Sequence, residues 1–297
     1  MKLTNVLALS AMIAIASIAL SGCEFQPPAD VEVDQIGYRG VGMEQVHFRP
    51  TDEAKREANQ VPDPQPPVSS AGPLAADIYQ NVQVLTSLNV GEFNRLMAAI
   101  TEWVSPEEGC NYCHEGQNLA SDAVYTKVVA RQMLQMTREI NNDWKANHVA
   151  ETGVTCYTCH RGQAVPEYGW YIDKGPKMPT GAVASRDGQN LARYESVAFS
   201  SLPFDPYTPY LLGDEDLRAV PSTALPEGSN PALTKDMEWT YGLMMHISDG
   251  LGVNCSFCHN SRQFSSWQES PPQRVTAWHA IRHVRSANNE YISPLTD

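Results

Sequence analysis

Hydrophobic positions along the chain fall into short blocks separated by polar and proline-rich stretches. An apolar run ends at Leu20. In GEFNRLMAAITEW (91–103), Phe93, Leu96, Met97 and Ile100 recur at helical spacing, which predicts an amphipathic helix. A second helix is expected within SDAVYTKVVARQMLQMTREI (121–140), with Ser121 as its N-cap. A third is expected within TKDMEWTYGLMMHI (234–247), with Thr234 as cap. Residues 24–75 are polar and read as irregular, and VPDPQPPVSSAGP (61–73) reads as an extended linker. Residues 161–232 hold nine prolines and many aromatics, too aromatic for disorder, and read as a long ordered connection. The fold expected is mainly α with extensive irregular coil.

The chain has 297 residues, 42% of them hydrophobic, and a net charge of −13. That length suits one large domain or two small ones. The acidic balance argues against nucleic acid and favours a basic partner, because opposite fields speed encounter. The stretch MKLTNVLALSAMIAIASIALSGC is too short and too poorly flanked to span a membrane, so it reads as a secretory signal. Leu20-Ser21-Gly22-Cys23 resembles a bacterial lipobox. Residues 1–22 would then be removed and Cys23 would carry lipid, anchoring the protein without a transmembrane helix.

The remaining six cysteines form three C-x-x-C pairs, each followed at once by His: Cys110, Cys113, His114; Cys156, Cys159, His160; and Cys255, Cys258, His259. Two thiols three residues apart sit on one side of a turn and can add to the two vinyl groups of a haem, and the next residue then offers its imidazole to the iron. A zinc ribbon has no need of His after every pair, and a redox C-x-x-C would occur once, near a βαβ pattern. The pattern therefore specifies three covalent c-type haems. Methionine is the usual soft sixth ligand, and the helix before each site offers one: Met97, Met133 or Met136, and Met244 or Met245. No P-loop, paired-carboxylate site or nucleophile triad is present.

A shift of 147 residues places RLMAAI (95–100) on GLMMHI (242–247), so that Met97 falls on Met244. The same shift places 128–144 on 275–291, matching Arg138 to Arg285, Asn141-Asn142 to Asn288-Asn289 and Trp144 to Tyr291. Fixed-offset similarity signals a duplicated unit, here helix, haem site, helix, haem site. The expected organisation is a lipid-anchored arm and linker (23–75), a first haem-pair unit (76–165), a connection (166–232) and a second unit (233–297). A fourth attachment site is expected near residue 303, a position set only to about a loop length. At the offset Met133 falls on Ala280, so the fourth haem would lack a Met; His148 is the candidate to supply imidazole instead.

Together the lipobox at Cys23, the Met-bearing helices, CYTCHRG, LPFDPYTPYL (202–211) and NCSFCHNSRQFSSW resemble the cytochrome c subunit of purple bacterial photosynthetic reaction centres. The resemblance covers nearly the whole mature chain. It implies four haems, three with Met and His and one with two His. It implies the pairs Met97 with His114, Met133 with His160 and Met244 with His259, and makes His148 a ligand of the fourth haem. Arg274 matches a position near the third haem, where a cation would raise the potential.

The function expected is electron transfer from a soluble periplasmic carrier, a c-type cytochrome or another small donor, to the photo-oxidised bacteriochlorophyll pair. The expected partners are the membrane-embedded L and M subunits, on the periplasmic face. The rivals are a multihaem reductase, which needs an open iron, and a periplasmic carrier without a fixed partner, against which the lipobox counts. His47, His246, His279 and His283, and Met43, Met178 and Met237, read as surface or packing residues.

Overall fold

The computed structural model describes residues 30–167, 188–194, 196, 199–217 and 234–295. The signal segment, Cys23, Met178 and the middle of the long connection lie outside the described residues. The described chain is mainly helical, with one two-stranded sheet among the described residues.

The arm expected to be irregular begins as a hairpin. Strand β1 (Val31–Gln35) pairs antiparallel with β2 (Glu44–Phe48), with Val33 opposite Val46. The side chain of Gln35 donates to the carbonyls of Gly37, Tyr38 and Met43, which closes the turn. Met43 is packed under Gly37, where a Cβ would lie 2.6 Å from its methyl. Helix α1 (Arg49–Ala58) follows directly, with Pro50 in its first turn. His47 lies between Asp34 (3.3 Å) and Asp52 (2.8 Å), tying the strands to the helix. These strands have only two apolar positions each, alternating with charges and polar groups, so their period-2 pattern is too short to stand out.

A short helix, α2 (Ala75–Ile78), leads to α3 (Val90–Val104). Asn89 and Glu92 form a reciprocal capping box at its start: Asn89 Oδ1 accepts from Glu92 N (2.9 Å) and the Glu92 carboxylate accepts from Asn89 N (3.1 Å). Helix α4 (Tyr125–Asp143) begins after Val124 without a side-chain cap. Ser121, expected as the cap, instead accepts from Ala123 N and stays in the preceding loop. Helix α5 (Cys156–His160) packs on α3. Helix α6 (Thr234–Leu251) includes Thr234 as its first residue rather than as its cap. Helix α7 (Gln273–Ala287) runs on into a π turn, Asn288–Ile292. Among the described residues no helix is long and apolar enough to cross a membrane.

Two packing centres position the sites. Tyr210, Leu211 and Leu243 are buried together, with Trp239, Met244, Ile281 and Val284 against them, so α6, α7 and the turn Thr208–Leu212 share one core. On the other side Asn141 of α4 holds the strand of chain leading into α5: its Nδ2 donates to Val154 O (2.9 Å) and its Oδ1 accepts from Val154 N (2.7 Å). Gly153 is needed beside this clamp. Its φ is +65°, and a Cβ there would come within 2.6 Å of Asn141 Oδ1.

Asn141→Ala removes both bonds and is expected to lower stability by about 1–3 kcal/mol. Gly153→Ala is expected to lower it by about 1–3 kcal/mol through left-handed strain. Exposed Asn142→Ala should stay within about 0.5 kcal/mol. Thermal unfolding of the three variants checks the ranking.

Candidate haem-attachment sites

The first cysteine pair sits just beyond α3. A 3₁₀ turn, Gly109–Tyr112, starts on Gly109 at φ +65° and carries Cys110, and Cys113 follows. His114 N donates to Cys110 O (3.0 Å), so the turn presents both sulfurs and the imidazole together. Met97 of α3, Cys110, Cys113 and His114 line one open cavity, with Phe93 and Leu134 among its apolar walls.

The second pair lies on α5, whose first turn is closed by Thr155 N donating to Thr158 Oγ1 (3.0 Å). Arg161 (φ 50°) and Gly162 (φ 81°) then turn the chain sharply, and Gly162 N donates to Trp103 O of α3 (2.8 Å). The third pair starts on the 3₁₀ turn Cys255–Phe257, and Cys258 follows it. The N-terminal hairpin is stitched onto it. Val46 N donates to Asn254 Oδ1 (2.9 Å), Ser256 Oγ donates to Glu44 O (2.7 Å), and Ser261 N donates to Val41 O (3.2 Å).

Each attachment histidine makes the same bond. His114 Nδ1 donates to Leu119 O (3.0 Å), His160 Nδ1 to Gln163 O (2.9 Å) and His259 Nδ1 to Phe264 O (3.1 Å). A carbonyl can only accept, so the proton is fixed on Nδ1 and Nε2 is left as the metal-binding nitrogen. Burial pushes the thiols of Cys113, Cys156 and Cys258 up. Among the described residues no three His, Cys, Asp or Glu side chains are grouped to hold a bare metal ion. Seven apolar side chains are buried among the described residues. Haem c fits all of these features.

The methionines divide on a local detail. Thr101 Oγ1 donates to Met97 O (2.9 Å), and Thr137 Oγ1 donates to Met133 O (2.8 Å). Met97 and Met133 thus share a turn pinned by a threonine four residues on. Met136 has buried Ile140 at that position instead. Met244 packs against the Tyr210–Leu243 core.

His148 lies on the π turn Lys145–Val149 that follows α4. Its Nδ1 is buried without a partner. Its ring faces that of His283 on α7 at 5.3 Å, and His283 also stacks near Trp144 at 5.4 Å. Both ring nitrogens of His283 are buried and unpartnered. Burial, and then the nearby His148, hold His283 down at about 4. Burial also lowers His148. Both imidazoles are therefore neutral at pH 7, the state a metal ligand needs. His283, read from sequence as surface or packing, is a packing residue, brought to His148 by the meeting of α7 with the π turn.

Arg274 lies over Trp267 (4.2 Å to the ring centroid) and donates to Ser266 O and Ser270 Oγ (2.8 Å each). Burial first, then the Arg274 charge, pushes the His259 imidazole down. Lys127 on α4 was missed by sequence reasoning. Its Nζ donates to Leu119 O (2.9 Å) and Ser121 O (2.8 Å), and it pairs with Asp122 (3.3 Å). Arg131 pairs with the same carboxylate at 2.8 Å. One signal for Lys127 was present: the 147-residue shift carries it onto Arg274.

The sequence pattern of the family described as "Photosynthetic reaction centre cytochrome C subunit" matches residues 26–297. The photosynthetic reaction center cytochrome c subunit of Thermochromatium tepidum is 55% identical over 291 residues, 98% of this chain and 70% of that protein. That of Rubrivivax gelatinosus is 48% identical over 281 residues, 95% of this chain and 75% of that protein. That of Roseobacter denitrificans is 37% identical over 313 residues, 99% of this chain and 82% of that protein. The chain belongs to the photosynthetic reaction-centre cytochrome c subunit family. It is a photosynthetic electron-transfer cytochrome with covalently bound haem c.

The Arg131 guanidinium, bonded to Asp122, is the main cause holding that carboxyl down at about 2, from an ordinary 3.8. A depressed carboxyl stabilises the fold above its unfolded value and loses that contribution as pH falls through its folded value. The stability gap between wild type and Asp122→Asn is expected to be full above pH about 4 and to close towards pH about 2, as read from paired acid-unfolding curves.

Proposed function

We propose that this protein feeds electrons to the photo-oxidised bacteriochlorophyll pair of a reaction centre, receiving them from a soluble periplasmic carrier. It would lie on the periplasmic face against the L and M subunits, held to the membrane by lipid on Cys23. The observation that carries the reading is the single cavity ringed by Met97, Cys110, Cys113 and His114, in a chain of this family.

Cys110 with Cys113, Cys156 with Cys159, and Cys255 with Cys258 hold three haems by thioether bonds. His114, His160 and His259 each give Nε2 to an iron, because their Nδ1 protons are committed to carbonyls. Met97, Met133 and Met244 are the sulfur donors. The haems supply reversible one-electron exchange, and the chain sets their potentials by axial ligand, burial and nearby charge. With a histidine and a methionine for each iron, no position would be left for a substrate, which separates this reading from a multihaem reductase.

His148 serves a fourth haem. Support comes from its buried, unpartnered Nδ1 and its neutral state. The duplication reading draws support from pairs matched by the 147-residue shift. Asn141 donates to Val154 O and Asn288 to Leu211 O (2.8 Å), each pinning a neighbouring segment. Glu139 and Ser286, equivalent under the shift, approach each other at 3.5 Å, as residues beside a pseudo-twofold axis do.

Carbon monoxide should leave the reduced wild-type spectrum unchanged. Met97→Ala and Met133→Ala should each open one iron, giving a carbon monoxide difference spectrum, and Met136→Ala should not. A wild-type protein that binds carbon monoxide would reject the reading. Cys23→Ala should move the protein from the membrane to the soluble fraction. Electron uptake from a basic donor should slow as salt rises, because the chain carries a net charge of −13.

A further inference from the structure

Lys127 is 9% exposed, an unusual degree of burial for a lysine. It lies in the first turn of α4 and lines the same cavity as Met97 and His114. The Leu119 carbonyl receives two donors at once, His114 Nδ1 at 3.0 Å and Lys127 Nζ at 2.9 Å. The ammonium is thus one carbonyl away from the imidazole that the first iron uses.

The third site also sets a cation on the loop that holds its histidine, without a shared carbonyl. His259 Nδ1 donates to Phe264 O, and Arg274 donates to Ser266 O two residues further on. At the first site the corresponding acceptors are Leu119 O and Ser121 O, again two residues apart, and the 147-residue shift matches Lys127 to Arg274. Side chain, burial and loop sequence differ, but a cation on a carbonyl of the loop that holds the histidine is common to both. A neutral donor would close such a loop without the desolvation penalty of an ammonium.

We propose that Lys127 raises the reduction potential of the haem held at Cys110 and Cys113, acting through the Leu119 carbonyl it shares with His114; this rests on the haem assignment above. An ammonium on that carbonyl draws electron density from it, so it pulls less on the His114 proton. The imidazole becomes a weaker donor and favours the oxidised iron less. The positive charge itself adds to this in a partly dry site. Asp122 offsets part of the charge, and Arg131 in turn holds Asp122.

Redox titration of the full-length membrane-derived protein, following the α-band of each haem, tests this. The double variant Cys110→Ala/Cys113→Ala identifies the component that belongs to this site; an unchanged haem content would overturn the haem assignment, and the proposal with it. Lys127→Gln is expected to shift that component alone to lower potential, and Lys127→Arg to leave it near wild type. Asp122→Asn should shift it the opposite way, upward, which a merely structural role does not do. An unmoved component in Lys127→Gln, or a fall in Asp122→Asn, would overturn the role of Lys127 while the haem assignment stands. Should Lys127→Gln fail to accumulate, the sign of the Asp122→Asn shift decides: upward supports the proposal, and no shift or a fall overturns it.

Discussion

The bond from each attachment imidazole to a nearby backbone carbonyl is the constraint on which the sites depend. His114, His160 and His259 each give their Nδ1 proton to an oxygen three or five residues downstream. That bond fixes the tautomer, orients the ring, and requires the chain after each C-x-x-C-H to turn back at once. At the second site the left-handed pair Arg161–Gly162 makes that turn. At the first, the loop is closed by Lys127 on Leu119 and Ser121. At the third, Arg274 on Ser266 O and the hairpin's Val41 O, which accepts from Ser261, close it together.

The rest of the architecture brings helices to these turns. Helix α3 carries Met97 toward the first turn and supplies Trp103 O to anchor the second. Helix α4 serves two masters: its first turn holds the loop of the first site, and its last turn, through Asn141, holds the approach to the second. With few side chains fully buried, these polar clamps carry positional information that a larger apolar core would otherwise supply. Two chemically distinct cations, Lys127 and Arg274, lie beside the loops of the first and third sites.

Helix α3 was legible because its apolar residues keep helical spacing, while the Asn-x-x-Glu box at its start was overlooked. The start of α4 was misread at Ser121 because a serine before an apolar run can serve a loop as well as a helix. The hairpin at 31–48 was missed because it is stabilised by contacts some 200 residues away, among them Asn254 and Ser256. Met97 and Met133 each have a threonine four residues on that bonds the methionine carbonyl, which Met136 lacks.

Sequence alone determined the chemistry: three thiol pairs each with its histidine, methionines on the preceding helices, an acidic chain, and a 147-residue periodicity. These are local patterns, written in spacing, and spacing survives without coordinates. Only the tertiary structure decided which distant groups meet. It placed Met97 and Cys110 around one cavity, set His283 against His148, and put Lys127 and His114 on one carbonyl. Burial and charge at a point depend on all the elements that converge there, and no single stretch of sequence records that convergence.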